Sequence, residues 1–293
     1  MKEIKKHVKA NVGFTDMKDE ETSRMVKEWF TKTAGYEWRR LKRNPYHQIE
    51  FFVTMHFLTK YLPKKGLVLD AGGGPGRYTI KLAKQGYDVV LLDLVLGILK
   101  LAERRIKRAG VKRRVKQIVE GSIEDLSMFD DEIFDAVLCL GGPLGHILTE
   151  QGRKKAVREL VRVAKKDAPI FASVISRLGV LKTLLIRAQT EMQYAKHHLE
   201  VGDYVPGVHG KGFTAAHWFL PEELRDLFEA QGVEVLEIAG LEGLSSHHPR
   251  ETNKLSKDEE KWKIWMEVLL KTCTHPAIIG CSEHFLLVGK KTY

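Results

Sequence analysis

The segment VLDAGGGPGRY, residues 68–78, places four glycines and a proline directly after an apolar run. Glycine reaches left-handed backbone angles and lets a ligand lie against the main chain. A strand that ends in such a turn and opens a helix presents backbone N–H groups and the positive end of the helix dipole to whatever binds there. A dinucleotide-binding turn of the form G-x-G-x-x-G, counted from Gly72 and Gly74, requires glycine at position 77, which is Arg77 here. The turn instead reads Asp70 followed by G-x-G-x-G through Gly72, Gly74 and Gly76. A carboxylate at this place repels a pyrophosphate and suits a ligand with a cationic amino-acid end.

Outward from the turn, short apolar runs at 67–71, 88–93, 115–120, 134–140 and 168–173 read as strands. Between them, 78–85, 97–109 and 153–165 have the apolar spacing of helices. Repeated strand–helix alternation predicts a parallel sheet covered on both faces. From 177 to 218 the alternation stops in a segment rich in His, Tyr and Gly, then resumes as a helix at 221–231, a strand at 233–239, a helix at 257–271 and a strand at 284–289. An insertion of that length at the mouth of a sheet is a candidate lid or substrate platform. Residues 1–66 read as a basic helical extension. Thr15 or Asp16 would cap a first helix reaching about Thr33, with Met25, Trp29 and Phe30 as its apolar stripe, and Asn44-Pro45 would open a second that runs to Pro63. The predicted organisation is therefore an extension at 1–66 and one domain at 67–293 that contains the insertion.

Charge is unevenly distributed along the 293 residues. The first 126 carry 27 Lys/Arg against 15 Asp/Glu, while the remainder is slightly acidic. Clusters at 39–43, 104–108 and 112–114 concentrate it, a pattern that suits either a polyanionic partner or a solvated face. Neither an 18-residue apolar run nor an apolar amino-terminal signal is present, so the expected location is the cytoplasm. Cys139, Cys273 and Cys281 form no CxxC pair and no disulfide framework.

Four motifs together resemble the class I S-adenosylmethionine-dependent methyltransferases: D-x-G-x-G-x-G at 70–76, Asp93 closing VVLLDL, GSIEDL at 121–126, and FDAVLCLGGPLGHI at 134–147. The resemblance implies a doubly wound, seven-stranded, mostly parallel sheet whose antiparallel last strand lies between the fifth and sixth. It also implies S-adenosylmethionine as cofactor. Asp70, Gly72, Gly74 and Gly76 would meet its amino-acid end, Asp93 and Leu94 its ribose, Ser122, Ile123 and Glu124 its adenine, and Leu140 and Gly141 the region of the methyl group. In nucleic-acid amine methyltransferases the fourth motif carries Asp, Asn or Ser before Pro-Pro-aromatic; here it reads Gly141-Gly142-Pro143-Leu144. A base near the carboxyl ends of the strands would be His146, after the fourth strand. The implied topology adds Glu242 in GLEG, and His284 with Ser282 in CSEH.

Two acceptors fit these features. In one, the acceptor is a base nitrogen of structured RNA, rRNA or tRNA, such as the exocyclic N4 of cytidine; the basic half holds phosphates, and His197, His198, Tyr204, His209, His217 and Trp218 receive the base. In the other, the amino-terminal helices and the insertion close over a small molecule. A non-catalytic cofactor-binding subunit is a third possibility. The histidines of the insertion match no common zinc spacing, and no metal is expected.

Overall fold

The computed structural model describes residues 19–293, so the cap expected at Thr15 or Asp16 lies outside the described residues. The run 67–71 becomes β1 (Leu67–Ala71), the third strand of a seven-stranded sheet. It is preceded by α1 (Asp19–Arg40) and α2 (Pro45–Tyr61), and followed by α3 (Arg77–Lys84), β2 (Asp88–Asp93), α4 (Leu96–Arg108), β3 (Val115–Glu120), β4 (Ala136–Cys139), α5 (Glu150–Val163) and β5 (Pro169–Ile175). The insertion contributes α6 (Arg177–Arg187), α7 (Ala195–Glu200) and a two-stranded ribbon of β6 (Asp203–Tyr204) and β7 (Ala216–His217). The chain then forms α8 (Pro221–Glu229), β8 (Val233–Gly240), α9 (Pro249–Leu255), α10 (Glu259–Thr272), α11 (Pro276–Ile279) and β9 (His284–Lys291).

Strand order is β3-β2-β1-β4-β5-β9-β8. The first five strands are mutually parallel, and β9 pairs antiparallel to both β5 and β8, as the resemblance implied. The central strands β1 and β4 are almost wholly buried because helices cover both faces, which is why they read as unbroken apolar runs. One face packs on α5 and α8 through Ala156, Val157, Leu160, Leu224 and Phe228. The other packs on α2, α3, α4 and α10 through Ile49, Val53, Phe57, Leu82, Ala102, Ile106 and Leu269. No helix among the described residues is long and apolar enough to cross a membrane.

The first helix differs from expectation. It continues past Thr33 to Arg40, and its last turn is anchored by side chains: Arg40 donates to both carboxylate oxygens of Glu50 in α2, and its Nε lies 3.5 Å from Glu37. Arg39 and Arg40 also complement the negative end of the helix dipole.

At the sheet's carboxyl rim, Asp70 ties β1 to α3. Its Oδ2 accepts the Thr79 backbone N–H at 3.0 Å and the Thr79 hydroxyl at 2.5 Å. The side chain is fully buried and burial raises its pKa to about 6, against the lowering effect of the two Thr79 bonds. Asp70→Ala leaves two buried donors unpaired and should lower stability by about 2–4 kcal/mol in chemical denaturation, whereas Asp70→Asn, which keeps an acceptor and removes the buried charge, should lose less than half of that. Equal losses in the two variants would contradict this role.

Candidate functional site

The glycine turn follows directly from β1. Gly72, Gly74 and Gly76 have φ of 74°, 54° and 78°. A Cβ on Gly72 would overlap the ring of Pro143, and one on Gly73 would stand 2.5 Å from Asp70 Cγ. The turn is thus pressed between the loop after β4 above and Asp70 below. Gly76 instead opens α3 and faces Ala102 of α4 across the helix packing.

Asp93, at the end of β2, accepts the N–H of Gly74 at 2.8 Å on one carboxylate oxygen and that of Val95 at 2.9 Å on the other. Each oxygen keeps a further lone pair for a ligand hydroxyl. Burial pushes its pKa up to about 6, while the two backbone bonds pull the other way.

A cavity of about 150 Å³ opens over these residues. Its floor is Gly72, Gly73, Gly74 and Pro75, with Asp93 and Leu94 on the β2 side and Leu140 and Gly141 on the β4 side. Ser122, Ile123 and Glu124 line it with Ile98. Of the residues expected at the cofactor, only Asp70 and Gly76 do not reach the wall: the first lies beneath the turn and the second within the helix packing, so both shape the site from behind.

The roof is α1, whose Ser23, Val26, Phe30, Glu37 and Arg40 line the cavity together with Leu41 just beyond it. The sequence assigns this helix to the amino-terminal extension, which the small-molecule alternative expects to close over the site. Its only local signal was the stripe Met25, Trp29 and Phe30, of which Phe30 packs edge-on against His146 at 5.1 Å and Trp29 against Phe213 of the insertion at 5.7 Å. His146 lines the cavity beneath Phe30. Its Nδ1 is 3.0 Å from the Ala215 carbonyl oxygen, which makes Nδ1 the donor and leaves Nε2 with a free lone pair. Burial lowers its pKa, so the ring is neutral at pH 7.

Glu242 and His284 meet each other but do not line the cavity. His284 donates its backbone N–H to one oxygen of Glu242 at 2.8 Å, and its Nδ1 contacts the other at 2.7 Å. Glu50 stands 4.0 Å from the same Nδ1, and it carries Arg40, which does line the cavity. Burial opposes a charge on His284, but Glu242 and Glu50 outweigh it and raise the pKa to about 9. The ligand atoms of Glu50, Glu242 and His284 lie within 4.8 Å of one another, a spacing open to a cation. Arg40 and the imidazolium already fill that role, so the cluster reads as an ion-pair network. Ser282 lies behind it as a structural residue that accepts the Gly243 N–H at 3.1 Å.

The histidines of the insertion do not form an acceptor pocket. His217 is buried between Asp203 and Glu223, each at 2.6 Å, and Glu223 also holds Arg177 at 2.7 Å. His197, His198 and His209 stack on one another, with the first two turned to the Asp203 carbonyl oxygen and His209 accepting the Val205 N–H. Tyr204 and Trp218 pack together with Phe213, and Phe219 enters the main core. None of these six expected residues lines the cavity. The insertion reaches the site through the Ala215 carbonyl and Phe213 instead.

Residues 68–167 match the family model of a methyltransferase domain. A glycine/sarcosine N-methyltransferase of Aphanothece halophytica is 32% identical over 113 residues, 38% of this chain and 42% of that protein. A ubiquinone biosynthesis O-methyltransferase of Rickettsia akari is 26% identical over 64% of this chain and 66% of its own length. Among solved structures, an S-adenosylmethionine-dependent methyltransferase of Methanosarcina mazei superposes with a TM-score of 0.57 at 20% identity, covering 80% of this chain and 97% of that one. This chain thus spans less than half the length of the first of these relatives.

The cavity suits S-adenosylmethionine on its own geometry: a turn bare of side chains, a buried carboxylate with spare lone pairs for two hydroxyls, and apolar walls at Ile98 and Ile123 for a flat ring. Asp93→Ala should weaken S-adenosylhomocysteine binding about a hundredfold in calorimetry. Because the folded carboxylate titrates near pH 6, wild-type affinity should be full above that pH and decline as pH falls through it. Unchanged affinity in the variant would remove Asp93 from the site.

Proposed function

We propose that this chain, by fold and by the family of residues 68–167 a class I S-adenosylmethionine-dependent methyltransferase, methylates an amine of a small molecule held beneath α1. The observation that carries the reading is the roof. Helix α1 contributes Val26, Phe30 and Arg40 to the wall of the cofactor cavity, so an acceptor reaches the methyl region within an enclosed, partly charged space. Named relatives include glycine/sarcosine N-methyltransferases, which act on small amines. The RNA reading has less support. Residues 112–114 precede β3 and therefore sit at the amino ends of the parallel strands, opposite the cavity, where Arg114 pairs with Asp88 at 3.1 Å. The aromatic residues assigned to a flipped base are packed on one another.

When bound, S-adenosylmethionine supplies a methyl group already activated on a sulfonium. The protein's tasks are to hold the acceptor in line and to manage its proton. Positioning of this kind supplies on the order of 7–11 kcal/mol in favourable cases. Two rim histidines have opposed charge states, which separates their tasks. Neutral His146, with Nδ1 fixed by Ala215, offers Nε2 as the base that takes the acceptor's proton. His284, held as an imidazolium by Glu242 and Glu50, is a hydrogen-bond donor and a positive charge at neutral pH. It does not line the cavity, so its task is to hold Glu50, which in turn holds Arg40 in the cavity wall.

The test is transfer of labelled methyl from S-adenosylmethionine into metabolite and RNA fractions run in parallel. Label in low-mass amines is expected; label confined to RNA would overturn the small-molecule reading. With an acceptor in hand, His146→Ala should lower kcat about a hundredfold or more at pH 7 while S-adenosylhomocysteine still binds. Full activity in that variant would exclude His146 as the base.

A further inference from the structure

Two basic clusters far apart in sequence, 39–43 and 104–108, meet on the outer side of α1. Their meeting point is Trp38. The guanidinium carbons of Arg77 and Arg105 lie 4.5 Å and 4.2 Å from its ring centroid, and Lys42 Nζ lies 5.9 Å away. Stacking on an aromatic face stabilises each cation by roughly 0.5–2 kcal/mol. It does not cancel the repulsion among them. Arg105 has its charge disfavoured by burial and then by Arg77, Arg104, Arg108 and Arg39. Among the described residues, none of Arg39, Lys42, Arg43, Arg77, Arg104 and Arg105 pairs with a carboxylate; nearby Glu37 and Glu50 are both engaged by Arg40.

Two donors in this group are also unmet. Nη2 of Arg77, a residue only 8% exposed that lines the cofactor cavity and not the groove at Trp38, and Nη1 of Arg105 beside that groove are buried without a hydrogen-bond partner. An unpartnered guanidinium N–H inside a cluster of like charges is an expensive arrangement unless an anion completes it. The groove is lined by Tyr36, Trp38, Arg39, Arg40, Lys42 and Arg43.

We propose that this groove of Arg39, Arg40, Lys42 and Arg43 at the end of α1, with Arg105 of α4 stacked on its Trp38, is a binding site for a small oligophosphate. Several converging guanidiniums require several negative charges, and planar N–H pairs match phosphate oxygens in a bidentate manner. The third basic segment, 112–114, lies at the amino ends of the parallel strands, away from the groove. The site does not depend on the methyl-transfer reading, and either can fail alone. Because Trp38 and Arg40 both belong to α1, an anion here also fastens the helix that roofs the cavity.

Calorimetric titration of the full chain with sodium tripolyphosphate tests the site. Wild type should bind one equivalent, and Arg105→Gln should weaken binding about tenfold or more. Arg39→Gln, at an exposed position, serves as a second variant should the first fail to fold, and should also weaken it. A control with Lys112→Gln and Arg113→Gln together removes more charge at the far end of the sheet and should bind within about twofold of wild type. No binding by wild type, an equal loss in the control, or binding of a single-stranded RNA oligomer that is tighter than tripolyphosphate and equally sensitive to both regions would each overturn the proposal.

Discussion

The ion pair between Arg40 at the end of α1 and Glu50 in α2 is the contact on which the site depends. Its carboxylate is buried and its guanidinium partly so; it uses both carboxylate oxygens and joins the helix that roofs the cavity to a helix packed in the core. Breaking such a pair by removing one partner typically costs about 3–5 kcal/mol, because the other charge stays buried and unpaired. Two consequences follow within one bond of it. Arg40 is held in the cavity wall, and Glu50 adds to Glu242 in keeping His284 charged. The roof and the electrostatics of the rim are therefore set by the same interaction.

Below the roof the fold performs the complementary task of clearing space. Asp93 binds Gly74 and Val95 through their backbone N–H groups, which fixes the glycine turn to the end of the neighbouring strand. Asp70 fixes the same turn to α3 from beneath. The left-handed angles at Gly72 and Gly74 are therefore held by two buried carboxylates. A parallel sheet brings the ends of β1, β2, β3 and β4 to one rim, and this is why residues from the four segments that follow them share one cavity.

Much of this was legible in the sequence because its causes are local. The central strands read correctly because burial on both faces leaves them mostly apolar, and the glycine turn because left-handed angles demand glycine. Asp93, Ser122, Ile123 and Leu140, expected from the resemblance of their motifs, line the cavity. What was not legible depends on contacts between distant segments. Nothing near Arg40 in sequence announces Glu50 or the cavity. The histidines of the insertion look like ligands in composition, but Asp203 and Glu223 capture His217, and the ring stack absorbs the others. Asp70 was recognisable as a motif residue, yet its direction, toward Thr79 and away from the ligand, is a property of the folded turn. The basic clusters, which in sequence suit either a polyanionic partner or a solvated face, separate in space into a group at Trp38 and a segment at the opposite end of the sheet.

The central claim is that α1 closes over a cofactor resting on the glycine turn. Hydrogen–deuterium exchange with and without S-adenosylhomocysteine tests it most directly. Slower exchange is predicted both in residues 72–76 and along residues 23–40 of α1, because the ligand is enclosed between them. Protection of the turn with α1 unchanged would contradict the roof, and protection of neither would contradict the site itself.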